Sequence, residues 1–174
     1  NLDRIGCNWL LLDDDADAHG GHCRACRLNR IIPDLSIDEN LRLWRLTEVA
    51  KRRLASQLLG MGLPLRSKIS EDPAHGLMFD LLRGAPNGPS VVTGHEEGLI
   101  TLNIEEADDA KRELARSAMH EPYRTLLGHF RHEVGHYYWN RLVRHTAWLE
   151  QFRVRFGDER NDYASALQRH YDQG

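Results

Sequence analysis

The five residues His132-Glu133-Val134-Gly135-His136 constrain this chain more than any other stretch. On a helix, positions i and i+4 lie on one face, so both imidazoles reach the same metal ion. Glu133 sits beside that face, where its carboxylate reaches a water on the metal. Zinc lowers the pKa of such a water toward ~7, and a neighbouring carboxylate then takes its proton. Two ligands and a base within one turn are the minimum for zinc-dependent hydrolysis, provided that the segment is helical. The competing reading is a helix with two surface histidines and a glutamate.

The surroundings favour a helix. Glu121-Pro122 offers a start, with proline in the first turn where its missing N–H costs nothing. Residues 123–144 then run without a breaker other than Gly128 and Gly135. Leu126, Leu127, Phe130, Val134, Tyr137, Tyr138, Leu142 and Val143 place apolar groups around most of its circumference, which predicts a buried helix. A glycine inside a helix costs about 1 kcal/mol relative to alanine, so Gly135 implies a close-packed neighbour or room kept near a metal. His129 shares the face of His132 and His136 and reads as a residue supporting the site or as a core histidine. Six of the ten histidines fall after residue 119, around this one helix.

The other chemistry-bearing cluster is at the start. Cys23-Arg24-Ala25-Cys26 is a Cys-x-x-Cys pair, and Cys7 precedes it. Such a pair wraps one tetrahedral zinc, for which a structural site needs four ligands. His19, His22 or an upstream cysteine are candidates for the fourth. A redox dithiol and a disulfide framework are the alternatives; an odd cysteine count argues against the latter. The acidic run Asp13-Asp14-Asp15 with Asp17 lacks the glycine and distal glutamate of a calcium loop.

The intervening sequence predicts an α+β domain with a small sheet. Ser36-Ile37-Asp38-Glu39 reads as a capping box. A helix follows with Leu43, Leu46, Ala50, Leu54 and Leu58 at helical spacing, Lys51-Arg52-Arg53 on a solvated face, and a stop at Gly60, Gly62 and Pro64. Strands are expected at Gly76–Leu82, Ser90–Thr93 and Leu99–Ile104, with a turn at Gly94-His95-Glu96-Glu97-Gly98. The strand from Leu99, if at an edge, would bind an extended peptide by sheet addition. An amphipathic helix is expected from Ala107 to Met119, and two short helices after His145, split by Gly157.

Catalytic zinc takes three protein ligands and leaves one position for water. Glu159 is the best local third ligand, with Asp158 the alternative. Asp162 is placed to orient a histidine ring, while Tyr163, His170 and Tyr171 are candidate donors to a developing oxyanion. The plainer alternatives are an Asp158 that caps a helix and a Glu159 that pairs with an arginine.

Several runs together resemble a bacterial family of zinc-binding metallopeptidases: Cys23-Arg24-Ala25-Cys26-Arg27-Leu28, Ile32-Pro33-Asp34-Leu35-Ser36, Ala50-Lys51-Arg52-Arg53-Leu54, and Gly128 through Trp139. Phe156-Gly157-Asp158-Glu159-Arg160 with Asp162-Tyr163 and His170-Tyr171 completes the likeness, which covers nearly the full chain. The resemblance implies a zincin-like metallopeptidase domain with a small mixed sheet and an active-site helix. A short cysteine-rich, zinc-ribbon-like segment precedes it. His132 and His136 would be zinc ligands, Glu133 the general base, and Cys7, Cys23 and Cys26 ligands of a second, structural zinc. It also implies further cysteines before Asn1, and a Trp- and Glu-rich segment past Gly174 able to hold the third ligand. A chain starting on Asn1 rather than methionine fits truncation at both ends.

The expected organisation is residues 1–35 as the zinc-ribbon-like segment and 36–174 as the peptidase domain. The expected substrate is a peptide or protein. A net charge of −3 gives no electrostatic case for nucleic acid or an anionic membrane. No apolar run approaches the ~20 residues of a membrane span. Asn1-Leu2-Asp3-Arg4 lacks the marks of a secretory signal, so a cytoplasmic location is expected. The rival readings are a non-catalytic zinc-binding interaction module and a zinc hydrolase acting on a non-peptide amide.

Overall fold

Period-two alternation and helical spacing resolve into a mixed sheet with two helices packed on it. The computed structural model describes residues 6–11, 19–85, 88, 91–119, 125–162, 165 and 168. Four strands, β1 (Asn29–Ile31), β2 (Met78–Leu82), β3 (Gly94–Glu96) and β4 (Leu99–Asn103), are ordered β1-β2-β4-β3. β2 is parallel to β1 on one side and to β4 on the other, and β3 runs antiparallel to β4. Helices α1 (Asp38–Gly60), α2 (Asp109–Met119), α3 (Leu126–Leu142) and α4 (Leu149–Phe156) complete the regular structure. The chain divides into two units, Asn1–Tyr137 and Tyr138–Gly174.

In the first unit the strand register aligns Asn29, Phe79, Ile100 and His95 in one row across the sheet. Residues in register share a face. Phe130 of α3 packs edge-on against Phe79 with ring centres 5.6 Å apart. Lys51 of α1 sets its ammonium 5.6 Å from the same ring. The row therefore runs beneath both helices. Phe79, Leu81, Ile100, Leu102, Phe130 and Val134 are buried and form the centre of the core.

Helix α1 follows its predicted span but not its predicted cap. Its N-cap is Ile37, without a side-chain bond. The Ser36 hydroxyl instead donates to the Asp34 carboxylate, closing a local turn, and Glu39 pairs with Arg42, so no capping box forms. Asp38 and Glu39 still favour the positive end of the helix dipole. Leu46 of the predicted stripe is 43% exposed, because the buried face is centred on Leu43, Thr47, Ala50, Leu54 and Leu58.

Lys51 is the larger correction. Rather than lying on a solvated face, it is fully buried with Glu48. Its ammonium donates to Glu48 at 2.6 Å and to the Asn29 side chain. Asn29 in turn donates to Glu48 at 2.9 Å, closing a three-residue polar network inside the core. Paired, hydrogen-bonded charges are the only form in which such groups survive burial.

Two strand expectations also change. Val91–Thr93 is not a strand; the strand begins at Gly94, and Ser90 lies outside the described residues. The strand Leu99–Asn103 is interior, flanked by β2 and β3, so it is not an edge. The edges are β1 and β3, and β3 is joined to β4 by a two-residue turn in which Glu97 (φ 45°) and Gly98 (φ 88°) both have positive φ. That is the primed turn whose twist suits a tight hairpin. Gly98 is required there twice over, since a Cβ would also meet the Gly76 carbonyl oxygen at 2.4 Å.

In the second unit Phe152 packs edge-on against Trp139 and at a tilt against Phe156, with ring centres 5.8 and 5.0 Å apart. Gly157, at φ 90°, ends α4 as its composition predicted. Most of the second short helix expected after it falls outside the described residues. Among the described residues, no helix is long and apolar enough to cross a membrane.

Candidate metal centres

The cysteine cluster is assembled by a knuckle that runs into the sheet. Cys26–Leu28 forms a 3-10 turn leading directly into β1, and the Asn29 N–H bonds back to the Cys26 carbonyl. Cys7 Sγ lies 3.7 Å from both Cys23 Sγ and Cys26 Sγ. A tetrahedral zinc with Zn–S bonds of ~2.3 Å needs sulfurs about 3.7–3.8 Å apart, so the spacing fits. The Cys26 N–H donates to Cys23 Sγ at 3.4 Å, as in a knuckle that favours thiolate. The neighbouring Cys26 thiol and that bond hold the Cys23 thiol well below its ordinary pKa, while Cys26 is pushed up by Cys23 and by burial. All three cysteines are free of disulfides. Neither His19 nor His22 joins the cluster; the His22 ring instead contacts the His19 carbonyl.

The second candidate centre lies on α3. The helix begins at Leu126, and the Thr125 hydroxyl accepts the Gly128 N–H at 2.9 Å as its cap. Glu121-Pro122 lies outside the described residues. Phe130, Val134, Tyr137 and Tyr138 are buried, whereas Arg131, His132, Gly135 and His136 are exposed. The helix is therefore amphipathic, with an open face, and not buried all round. On that face the Nε2 atoms of His132 and His136 are 3.1 Å apart, their rings nearly perpendicular at 87°. Two imidazoles on one tetrahedral zinc at ~2.0–2.1 Å place their nitrogens about 3.3 Å apart, so this pair also fits. Among the described residues Glu133 makes no hydrogen bond or ion pair, which leaves its half-buried carboxylate available.

Gly135 owes nothing to a packed neighbour: a Cβ there meets no atom within 4 Å. Gly135→Ala is therefore expected to raise unfolding free energy by about 1 kcal/mol through helix propensity, read from the urea midpoint. A fall would show that the space is occupied.

The other proposed site residues are placed as follows. The Glu106 carboxylate contacts His129 Nδ1 and accepts the Thr93 hydroxyl at 2.5 Å, which fixes the His129 ring. Arg153 grips Glu159 with two bonds of 2.9 and 2.6 Å, and Arg160 grips Asp158 likewise at 2.8 and 2.6 Å. Each arginine holds its partner's carboxyl below the usual range. Asp162 accepts the Ser165 N–H at 2.7 Å. Tyr163, His170 and Tyr171 lie outside the described residues. Among the described residues, Cys7, Cys23 and Cys26 are the only cluster of three metal-binding side chains.

His95 was hidden in a predicted turn. It lies on β3 with its ring stacked on His136, 6.4 Å between centres and 11° between planes, and its edge is turned to Tyr137. Its Nε2 accepts the Gly98 N–H at 3.0 Å. Burial, then His136 and Lys68, push its pKa down. One signal was available: a positive-φ Glu97-Gly98 turn before an alternating strand demands a partner strand ending at Glu96.

Residues 40–174 match the family described as "Putative zinc-binding metallo-peptidase". The chain belongs to this family. Residues 1–37 match a zinc-ribbon domain, so the family's peptidase segment is preceded here by a zinc-binding one, in keeping with the cysteine cluster. The chain is 45% identical over 175 residues to uncharacterized proteins of Mycobacterium bovis and Mycobacterium tuberculosis, covering 100% of this chain and 50% of each relative. It thus spans about half the length of those family relatives. No solved structure matches it.

Proposed function

We propose that the chain carries the catalytic centre of a zinc-dependent peptidase, with His132 and His136 as ligands and Glu133 as general base. The observation that supports it most is the 3.1 Å approach of the two Nε2 atoms on an exposed helix face, with an unengaged Glu133 between them in sequence. A zinc ion held there supplies Lewis-acid activation of water and of a carbonyl. Glu133 takes the proton of the attacking water and returns it to the leaving amine. The free edge of β3 supplies backbone groups for an extended peptide to pair with, beside His136. Glu159, with Asp158 as alternate, is the third-ligand proposal within the chain; either carboxylate has to exchange its arginine for the metal. Cys7, Cys23 and Cys26 hold a second, structural zinc, and three free thiols suit a reducing cytoplasm.

One observation favours the rival, a non-catalytic zinc module: the three-donor cluster is the cysteine one. Glu133→Gln separates the two. Hydrolysis of labelled casein is expected to fall ~10²- to 10⁴-fold, the usual range for a general base, with zinc content unchanged. Equal hydrolysis by the variant overturns the mechanism. Zinc that is lost from Cys23 and Cys26 variants but never from a His132 variant supports the module.

A further inference from the structure

His95 has one nitrogen committed and one free. The Gly98 N–H can only donate, so His95 Nε2 must be the acceptor. The ring is then neutral and its proton sits on Nδ1. Among the described residues nothing accepts that Nδ1–H. The ring is half-buried, and Nδ1 is not among the buried atoms left without a partner, so it is open to solvent, where a bound substrate can reach it. The same tautomer disqualifies His95 as a metal ligand, because Nδ1 carries a proton and the Nε2 lone pair is used.

The ring is also held in place. Gly98 is pinned by the primed turn and by the Gly76 backbone. The backbone of β3 is locked to β4 by the pairing of His95 with Ile100. The Tyr137 ring lies against the imidazole, and its hydroxyl donates to the His75 carbonyl at 2.7 Å. The result is a donor held in a ring stacked on His136, on an edge strand of the sheet.

Resting on the peptidase reading above, we infer that the Nδ1–H of His95 is a preset hydrogen-bond donor to the carbonyl oxygen of the peptide bond cleaved at the His132, Glu133 and His136 site. Charge develops on that oxygen as water adds, and a donor already oriented costs no reorganisation at that moment. The bond strengthens in the transition state more than in the bound substrate, so its loss acts on kcat more than on KM.

The test uses the zinc-loaded protein. Nitrogen-15 NMR of the imidazoles is expected to show His95 protonated at Nδ1 and bare at Nε2. With labelled casein, His95→Ala is expected to lower kcat by ~10²- to 10³-fold, the usual loss for one oxyanion donor, with KM and zinc content held. His95→Asn, whose amide N–H falls near the Nδ1 position, is expected to recover part of that loss, and His95→Gln is not. An Nε2–H tautomer, zinc lost with the ring, or a His95→Ala protein as active as a Glu133-dependent wild type overturns this inference alone. Casein hydrolysis that Glu133→Gln leaves unchanged overturns the peptidase reading, and this inference with it.

Discussion

Cys23→Ser is expected to release the zinc of the cysteine cluster and to lower the melting temperature sharply. Cys7, Cys23 and Cys26 place their sulfurs at the spacing of one tetrahedral ion, and the knuckle continues without a break into β1 of the central sheet. Structural zinc contributes ~10–16 kcal/mol of apparent free energy in small domains. That contribution is of the same size as the ~5–15 kcal/mol net stability of an ordinary domain. Serine keeps the volume but is a far weaker zinc ligand than thiolate. Metal analysis together with a thermal melt checks the result, and unchanged zinc and melting temperature would sink it. The pH dependence has a definite sign. Zinc binds thiolates, so metal binding displaces the thiol protons. Zinc held by the cluster is therefore expected to pass to a chelator more readily as pH falls.

Lys51→Ala is expected to cost about 3–5 kcal/mol, the range for breaking a fully buried ion pair. The substitution leaves the fully buried Glu48 carboxylate with the Asn29 amide and an Arg52 guanidinium 4.0 Å away, and without its close ion-pair partner. It also removes the ammonium from the Phe79 ring and opens a cavity against β2. Urea denaturation with linear extrapolation measures the loss. The double change Glu48→Leu with Lys51→Met is expected to recover most of it, because it removes both charges and keeps the volume. A loss under about 1 kcal/mol for Lys51→Ala would show that Arg52 or water takes over the Glu48 charge, and would overturn the expectation.

These two sites meet at Asn29. Its backbone N–H caps the turn that carries Cys26, and its side chain joins Glu48 and Lys51. Asn29 also stands at one end of the register row whose other end is His95. The zinc-binding segment and the sheet beneath α3 therefore share one rigid element. Loss of the cysteine zinc is expected to loosen both.

The residues most legible in the sequence were those governed by local periodicity. Helix α1, strands β2 and β4 and helix α3 carry enough turns or alternations to be read, because a helix face or a pleat repeats within a few residues. β1 and β3 escaped because three residues are too few to show a period. β3 was further masked by Gly94 and by the polar Glu96-Glu97-Gly98 run, which reads as loop. Lys51, unlike the exposed Arg53, departs from its expected solvated place for a related reason. Charge in a window signals solvent, and nothing within that window shows that Asn29, 22 residues earlier, waits to receive the ammonium.

What the sequence determined alone was the pairing of His132 with His136, and the place of Glu133 between them. Helical geometry sets the i, i+4 relation whatever the rest of the chain does. Only the tertiary structure decided which face of α3 stays open and that Glu48 and Lys51 neutralise each other in the core. It also brought His95 to stand against His136. Those relations join residues 41 positions apart for His95 and His136 and 51 for Phe79 and Phe130, counted along the chain. Such contacts are set by strand register and core packing, which depend on the whole sheet and on no short segment of it.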